Sequence, residues 1–249
     1  MKINSVNHGD CLELMKSIPD ASIDLIFADL PYGTTKCKWD SIIDLPLMWK
    51  QYERIIKQNG AILLFAQTPF DKVLGASNLK LLRYEWIWQK THPTGHLNAN
   101  LMPMKAHENI LVFYKNLPTY NPIKTQGHKR KVSSAKHKLA MNSIDSEIYN
   151  KGQKATDYDS TERFPLSVQI FASDKQKSKL HDTQKPVALI EYFIKTYSNE
   201  GDVVLDNTAG SGTLGIGCIN TNRNYILIEK EIENIEIINT RILEHKKAT

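Results

Sequence analysis

The sequence predicts an α/β domain built on a mostly parallel sheet and interrupted by a basic insert. Three observations carry this. Short apolar runs of strand length alternate with segments whose apolar residues recur at helical spacing. Near the C-terminus a glycine-rich loop joins one such run to one such segment, a Rossmann-like arrangement. Between Lys115 and Leu180 the texture turns polar and basic, with thirteen Lys/Arg against six Asp/Glu, a local net of +7 in a chain whose total is +5. The 249 residues suit one large domain, or one domain with a sizeable insert.

Taken in order, Asp10 caps a short helix over Cys11 to Ser17. Ile23 to Ala28 is an apolar run and a buried strand. Ile42 to Lys57 reads as a helix, because Leu45, Met48, Trp49, Tyr52, Ile55 and Ile56 recur at helical spacing, and Asn59-Gly60 is expected to end it. Ala61 to Phe65 is a second buried strand, followed by a helix over Pro69 to Ala76. Leu82 to Gln89 and Asn109 to Tyr114 are two more strands, with a loop carrying His92, Pro93, Gly95, His96 and Pro103 between them. The loop histidines are read as solvated. Trp86 and Trp88 share one face of their strand, and at least one of them is expected in the core.

From Lys115 to about Lys179 the chain is weakly periodic, with a single candidate strand at Leu166 to Phe171. The regular alternation then returns. Pro186 opens a helix whose apolar face is Val187, Leu189, Ile190, Phe193 and Ile194. Val203 to Asp206 is a strand, Gly212 to Asn220 a helix, Tyr225 to Glu229 a strand and Ile232 to Lys246 a last helix. The basic residues from Arg241 to Lys247 are expected on its exposed face.

No stretch approaches the 18 apolar residues of a membrane span, and no apolar region follows Met1-Lys2, so the expected location is the cytoplasm. Cys11, Cys37 and Cys218 are far apart and read as buried free thiols, with no sequence-local metal site. A basic segment on a near-neutral body suggests a polyanionic partner.

The sharpest local signal is Leu205-Asp206-Asn207-Thr208-Ala209-Gly210-Ser211-Gly212-Thr213-Leu214-Gly215. Gly210, Gly212 and Gly215 match G-x-G-x-x-G, which lets backbone approach a cofactor and a helix pack closely on the sheet. Glu229 closes the next strand, nineteen residues after Gly210, where an acidic residue can accept from ribose hydroxyls. No Gly-Lys-Ser/Thr follows, so this is not a phosphate loop of the Walker A type. A nicotinamide dinucleotide site fits the spacing, although only about one βα unit remains after Glu229. Asp206, at the strand end, favours a cationic or amino-bearing cofactor.

A second signal lies upstream. The strand at Ile23 to Ala28 runs into Asp29-Leu30-Pro31-Tyr32-Gly33. Loops at the carboxyl ends of strands build the sites of open α/β sheets. Asp29 can accept one N–H of an exocyclic amine and the Leu30 carbonyl the other. Pro31 stiffens the turn, and Tyr32 offers a face for stacking a flat base. Holding both N–H groups out of conjugation makes such a nitrogen a better nucleophile.

With these motifs the sequence resembles the amino-methylating DNA methyltransferases of prokaryotes and their phages. Asp29-Leu30-Pro31-Tyr32 is similar to the family's Asp-Pro-Pro-Tyr, and Asp206 to Thr213 to its Asp-x-Phe-x-Gly-Ser-Gly-Thr. Catalytic motif first and cofactor motif last is the circularly permuted order of the beta group. Gly9-Asp10, Lys105-Ala106-His107-Glu108-Asn109-Ile110 and His181-Asp182-Thr183-Gln184-Lys185-Pro186 resemble further family stretches. Leu30 replaces the first proline and Thr208 the usual phenylalanine.

The resemblance implies a Rossmann-like methyltransferase fold, with residues 1–114 and 181–249 as the catalytic and cofactor-binding domain and 115–180 as an inserted target-recognition region. It implies S-adenosyl-L-methionine as cofactor, held by Asp10, Lys185, Pro186, Asp206, Thr208, Gly210, Ser211, Gly212, Thr213 and Glu229. Duplex DNA is the expected partner, with Lys129, Arg130, Lys131, Lys136 and Lys138 set against its phosphates. The target base is expected to flip out of the stack. An Asp opening the tetrapeptide points to adenine N6 rather than cytosine N4. A homodimer and a cognate restriction enzyme are further implied partners. An inactive DNA-binding relative, an RNA substrate and a nicotinamide-dependent dehydrogenase are the competing readings.

Overall fold

A computed structural model describes residues 1–33, 41–137, 156–173 and 184–248. They fall in two compact units, Met1–Asn121 with Ser167–Thr249, and Pro122–Leu166. The compact second unit is shorter than the basic stretch at 115–180, since residues at both ends of that stretch fold with the larger unit.

The larger unit is one eight-stranded sheet covered by helices on both faces. Its strands are β1 (Ser5–His8), β2 (Ile23–Ala28), β3 (Ile56–Ala66), β4 (Leu82–Thr94), β5 (Lys105–Phe113), β8 (Val168–Phe171), β9 (Val203–Asp206) and β10 (Asn224–Glu229). The order across the sheet is β1-β10-β9-β2-β3-β5-β4-β8, with β5 antiparallel to both neighbours and every other pair parallel. The helices are α1 (Cys11–Met15), α2 (Leu45–Ile55), α3 (Phe70–Ser77), α4 (Val187–Tyr197), α5 (Thr213–Asn220) and α6 (Ile232–Ala248).

Because successive strand residues point to opposite faces, each central strand feeds two cores. Ile26, Ile62 and Leu64 pack with Met15, Met48, Trp49, Tyr52 and Phe70 from α1, α2 and α3. Phe27, Leu63 and Phe65 pack with Leu189, Phe193, Leu214 and Ile238 from α4, α5 and α6. The rings of Phe27 and Phe65 stack at 5.2 Å, and Phe193 meets Phe27 edge-on at 5.8 Å.

From β9 the chain winds outward through β10, while from β2 it winds the other way through β3. Strands β9 and β2 are parallel neighbours, with Leu205 opposite Ile26. Their carboxyl ends therefore open at the point where the winding direction reverses, the place where such sheets take ligands.

Several boundaries differ from the sequence expectation. Helix α2 ends at Ile55, and Ile56 through Gly60 already belong to β3, with Ile56 paired to Ile23. Gly60 is thus a strand residue, and its reason is close approach: a Cβ there would lie 2.8 Å from the Asp24 carbonyl oxygen. Strands β4 and β5 run further than expected because the ladder continues to Thr94 opposite Lys105. Strand β1 was not anticipated. Its residues Ser-Val-Asn-His lack an apolar run, and it is an edge strand held on one side only, by β10.

Both tryptophans of β4 are buried. Trp86 donates to the Tyr197 hydroxyl at 2.7 Å and packs on Phe193, whereas Trp88 donates to the Phe171 carbonyl of β8 at 3.0 Å. Cys11 and Cys218 are buried free thiols; Cys37 lies outside the described residues. Among the described residues no helix is long and apolar enough to cross a membrane.

The smaller unit is organised by an antiparallel pair of β6 (Lys131–Ser133) and β7 (Tyr158–Ser160), with Lys131 opposite Ser160. A bridge between Thr125 and Arg163 closes it further.

Candidate active site

The loop after β2 and the loop after β9 face each other across a cavity of about 660 Å³. Asp29, Leu30, Pro31 and Tyr32 line one side; Asp206, Thr208, Gly210, Ser211, Thr213 and Glu229 line the other, with Asp10 and Lys185 also in the wall. Gly212 and Pro186 are absent from the lining and serve as backbone supports, Gly212 starting α5 and Pro186 starting α4.

The Asp29 carboxylate is held at both oxygens. The Tyr32 hydroxyl donates to Oδ1 at 2.8 Å, and the Lys185 ammonium stands 2.6 Å from Oδ2. Tyr32 stacks on Phe70, with ring centroids 5.2 Å apart. The side chain of Leu30 is buried in the core beneath the loop, which leaves its role at the site to the backbone.

Lys185 does not end at Asp29. Its Nζ is also 3.0 Å from Glu108 Oε2 and lies over the Phe65 ring, and Glu108 Oε1 is 2.6 Å from Lys90 Nζ. Glu108 comes from β5, directly opposite Trp88 of β4, and Lys90 follows two residues on. The motif stretches around Glu108 and Lys185, remote in sequence, thus meet in one buried chain of alternating charge. Burial opposes ionisation of Glu108, but the two lysines outweigh it and hold the carboxyl at about 2. Burial also pushes Lys185 toward neutrality, and its two carboxylates reverse this and hold it above the usual lysine range. For Asp29 burial prevails over Lys185, so its carboxyl sits above the usual aspartate value.

The glycine loop fits a nucleoside-bearing cofactor. Gly210 and Gly212 both have positive φ, at 52° and 74°. A Cβ on Gly212 would also lie 2.9 Å from Ile238 Cγ2 of α6. Gly212→Ala therefore meets both backbone strain and a clash, and is expected to destabilise by about 1–3 kcal/mol. A thermal melt should show a fall of roughly 3–10 °C.

Glu229 accepts from the backbone N–H of Gly210 at 2.7 Å, and of Lys230 and Glu231 at 2.9 Å each. Three of its about four lone-pair sites are thereby used, and the carboxylate is fixed in the cavity wall with one to spare. Asp10 is similarly occupied, its Oδ1 accepting from Leu12 and Glu13 at the start of α1. Asn207 Nδ2 and Gln184 Oε1, both from cavity-lining residues, are buried with no hydrogen-bond partner among the described residues. Unpaired buried polar atoms of this kind are rare, and a polar ligand would satisfy them.

Thr208 explains one departure from the family pattern. Its hydroxyl donates to the Asp29 carbonyl at 3.1 Å, tying the loop after β9 to the loop after β2 in a way phenylalanine cannot. Arg241 corrects another expectation. It is not on the exposed face of α6, but donates to the Ser211 carbonyl at 3.0 Å and to Thr213 Oγ1 at 3.0 Å. The glycine loop is thus buttressed from the last helix, a contact no local pattern around residue 241 announces.

Of the basic residues assigned to phosphates, Lys129, Arg130, Lys131 and Lys136 are exposed in the smaller unit. Arg130 is already paired bidentately with Asp159, at 2.7 and 2.5 Å, so it is not a free cation as expected. Lys138 lies outside the described residues, as do His181, Asp182 and Thr183 of the stretch before α4.

Comparison with known proteins settles the class. The DNA methylase model for N6 and N4 methyltransferases matches residues 23–240. This chain belongs to that DNA methylase family. Its fold is that of the S-adenosylmethionine-dependent methyltransferases. It is 29% identical over 275 residues to the type II methyltransferase M.HinfI of Haemophilus influenzae, covering 98% of this chain and 69% of that protein. It is 28% identical over 253 residues to the DNA adenine methyltransferase YhdJ of Escherichia coli (strain K12), covering 94% and 80%.

Among solved structures, the M1.HpyAVI–SAM complex superposes with a TM-score of 0.65 at 22% identity, covering 96% of this chain and 98% of that one. The cytosine-N4-specific PvuII DNA methyltransferase superposes with a TM-score of 0.65 at 16% identity, covering 98% and 94%. These two likenesses concern the fold alone. The family excludes the dehydrogenase reading.

Proposed function

We propose that this DNA methylase transfers the methyl group of S-adenosylmethionine to the exocyclic N6 of adenine in duplex DNA, with Asp29 and Tyr32 receiving the flipped base. The observation that carries it is the Asp29 carboxylate, held between Tyr32 and Lys185 in the same cavity as the glycine loop and Glu229.

Each residue has a separable task. Glu229, with its remaining lone pair, and Asn207 Nδ2, which lacks a partner among the described residues, fit the ribose and adenine side of the cofactor. Gly210 and Gly212 keep the loop low enough for close approach, and Asp206 faces the cationic end. The bound cofactor supplies a methyl group already activated on a sulfonium. Asp29 accepts an N–H from the base amine, the Leu30 carbonyl accepts the other, and the Tyr32 ring covers the base. Unstacking a base from the duplex costs a few kcal/mol, which these contacts offset. Asp29 orients the amine rather than acting as a strong base, and Lys185 favours its anionic form against the burial that opposes it.

Adenine is favoured by Asp29 at the head of the tetrapeptide, and by the name of the YhdJ relative. The exposed lysines of the smaller unit, Lys129, Lys131 and Lys136, supply phosphate contacts that hold without reading sequence.

The test is transfer from methyl-labelled S-adenosylmethionine to mixed unmethylated DNA, with digestion to nucleosides and mass spectrometry. Labelled N6-methyladenine is expected. Labelled N4-methylcytosine would keep the mechanism and overturn the base; label on RNA alone would overturn the substrate.

A further inference from the structure

We infer that Glu108 and Lys90 are positioning residues for methyl transfer, acting on Asp29 through Lys185 as a four-membered chain of alternating charge. The inference rests on the reading of Asp29 as the group that receives the base amine.

The geometry is explicit. Lys90 and Glu108 are 2.6 Å apart, Glu108 and Lys185 3.0 Å, and Lys185 and Asp29 2.6 Å. Side-chain exposure is 9% for Lys90, 8% for Glu108 and 11% for Lys185, but 26% for Asp29, so all four line the cavity and Asp29 is the most open of them. Two ammonium groups and two carboxylates sum to zero. Aromatic faces seat both lysines, Trp88 at 5.2 Å from Lys90 and Phe65 at 4.8 Å from Lys185. Four pieces of backbone converge to make it: β4, β5, the entry to α4 and the loop after β2.

A lysine on Asp29 needs neither Glu108 nor Lys90 for simple charge balance, since one ammonium neutralises one carboxylate. The extra pair does two things. Glu108 gives Lys185 a second anchor, which fixes the direction from which the ammonium meets Asp29 Oδ2 and leaves Oδ1 to Tyr32 and, in turn, to the incoming base. Lys90 then offsets Glu108, whose charge would otherwise bear on Asp29 as a like charge. Deleting either interior member therefore changes the charge felt by Asp29, with opposite signs. The other groups facing Asp29 are the Tyr32 phenol on its own loop and Asp206 at the end of β9, and neither is altered by these substitutions.

The experiment compares Lys90→Met, Glu108→Gln and the double variant with the native protein. Two curves are measured for each: the pH dependence of single-turnover methyl transfer, normalised to its own maximum, and the pH dependence of the Asp29 carboxyl ¹³C shift in ligand-free labelled protein. Normalisation removes any loss of folded material, and the second curve does not require activity. Lys90→Met leaves one uncompensated negative charge, so Asp29 should hold its proton to higher pH and both curves should move up by about one pH unit. Glu108→Gln leaves one uncompensated positive charge and should move them down. The double variant, neutral again, should return close to the native position, and Lys90→Arg should not move it.

Coincident curves for all four proteins, with Asp29→Asn still inactive, would overturn the coupling and leave the role of Asp29 intact. Activity retained by Asp29→Asn would instead remove the reading on which the coupling depends.

Discussion

Replacing Asp29 with asparagine is expected to lower single-turnover methyl transfer by about 10³-fold or more, within the range seen when a positioned polar catalytic group is removed. The amide is close in shape to the carboxylate but keeps only one acceptor. Lys185 is a donor 2.6 Å away and Tyr32 a donor 2.8 Å away, so the amide oxygen is drawn to one of them. The NH₂ group is then left facing the other donor, or facing the base amine it should accept from. Lys185 also keeps its contact with Glu108, so the variant retains a partner for that buried ammonium and is expected to fold. Affinity for S-adenosylmethionine should change by only a few fold, because Glu229 and the glycine loop are untouched. Calorimetric titration alongside single-turnover labelling separates the two quantities. A variant within tenfold of the native rate would remove Asp29 from the mechanism.

The fold could be read from the chain wherever burial forces a pattern. Strands β2, β9 and β10 are buried on both faces over most of their length and show as short apolar runs, Leu25 to Ala28, Val203 to Leu205 and Tyr225 to Ile228. The edge strand β1 has one neighbour and a mixed surface, so its residues carry no run to read. Gly60 misled for a physical reason. Glycine is needed both where helices stop and where backbones approach closely, and only the Asp24 carbonyl nearby distinguishes the two uses.

At the site, local signals were strong for groups that act through their own loops, such as Asp29, Tyr32 and Gly212. The signals were weak for groups that act through tertiary contact. Lys185, expected beside the cofactor, lines the cavity, and the folded chain also sets it on Asp29 and Glu108. Arg241 looked like a surface cation because it opens the basic C-terminal stretch that ends in Lys246-Lys247, although its guanidinium reaches the glycine loop. Arg130 looked free because its partner Asp159 is twenty-nine residues away. Pairings across that distance depend on the fold and leave no periodic trace.

Asp206→Asn should stabilise the ligand-free protein at pH 8 and weaken its hold on the cofactor. Asp206 is buried at the end of β9, and burial pushes its carboxyl up to about 8, against the opposing hydrogen bond from the Thr208 N–H; Asp29 and Glu229 push it further the same way. In the unfolded chain the value is about 3.9. The folded state therefore binds the proton more tightly. Its contribution to stability is complete below about pH 4, falls as the pH rises, and is gone once the folded group ionises near 8. The linked free energy is on the order of several kcal/mol across that window. Asparagine carries no proton to lose, so the variant should melt higher at pH 8 by about 5–10 °C, with the difference shrinking toward pH 5. The cofactor brings positive charge, which favours the ionised carboxylate and should release a proton from Asp206 on binding. Near pH 7, calorimetry in buffers of different ionisation enthalpy should detect that proton in the native protein and not in the variant, whose affinity should fall about 10²-fold. Native and variant proteins with parallel stability–pH curves would show that Asp206 is already ionised in the ligand-free cavity. The price of a pre-formed cation site would then lie elsewhere in the fold.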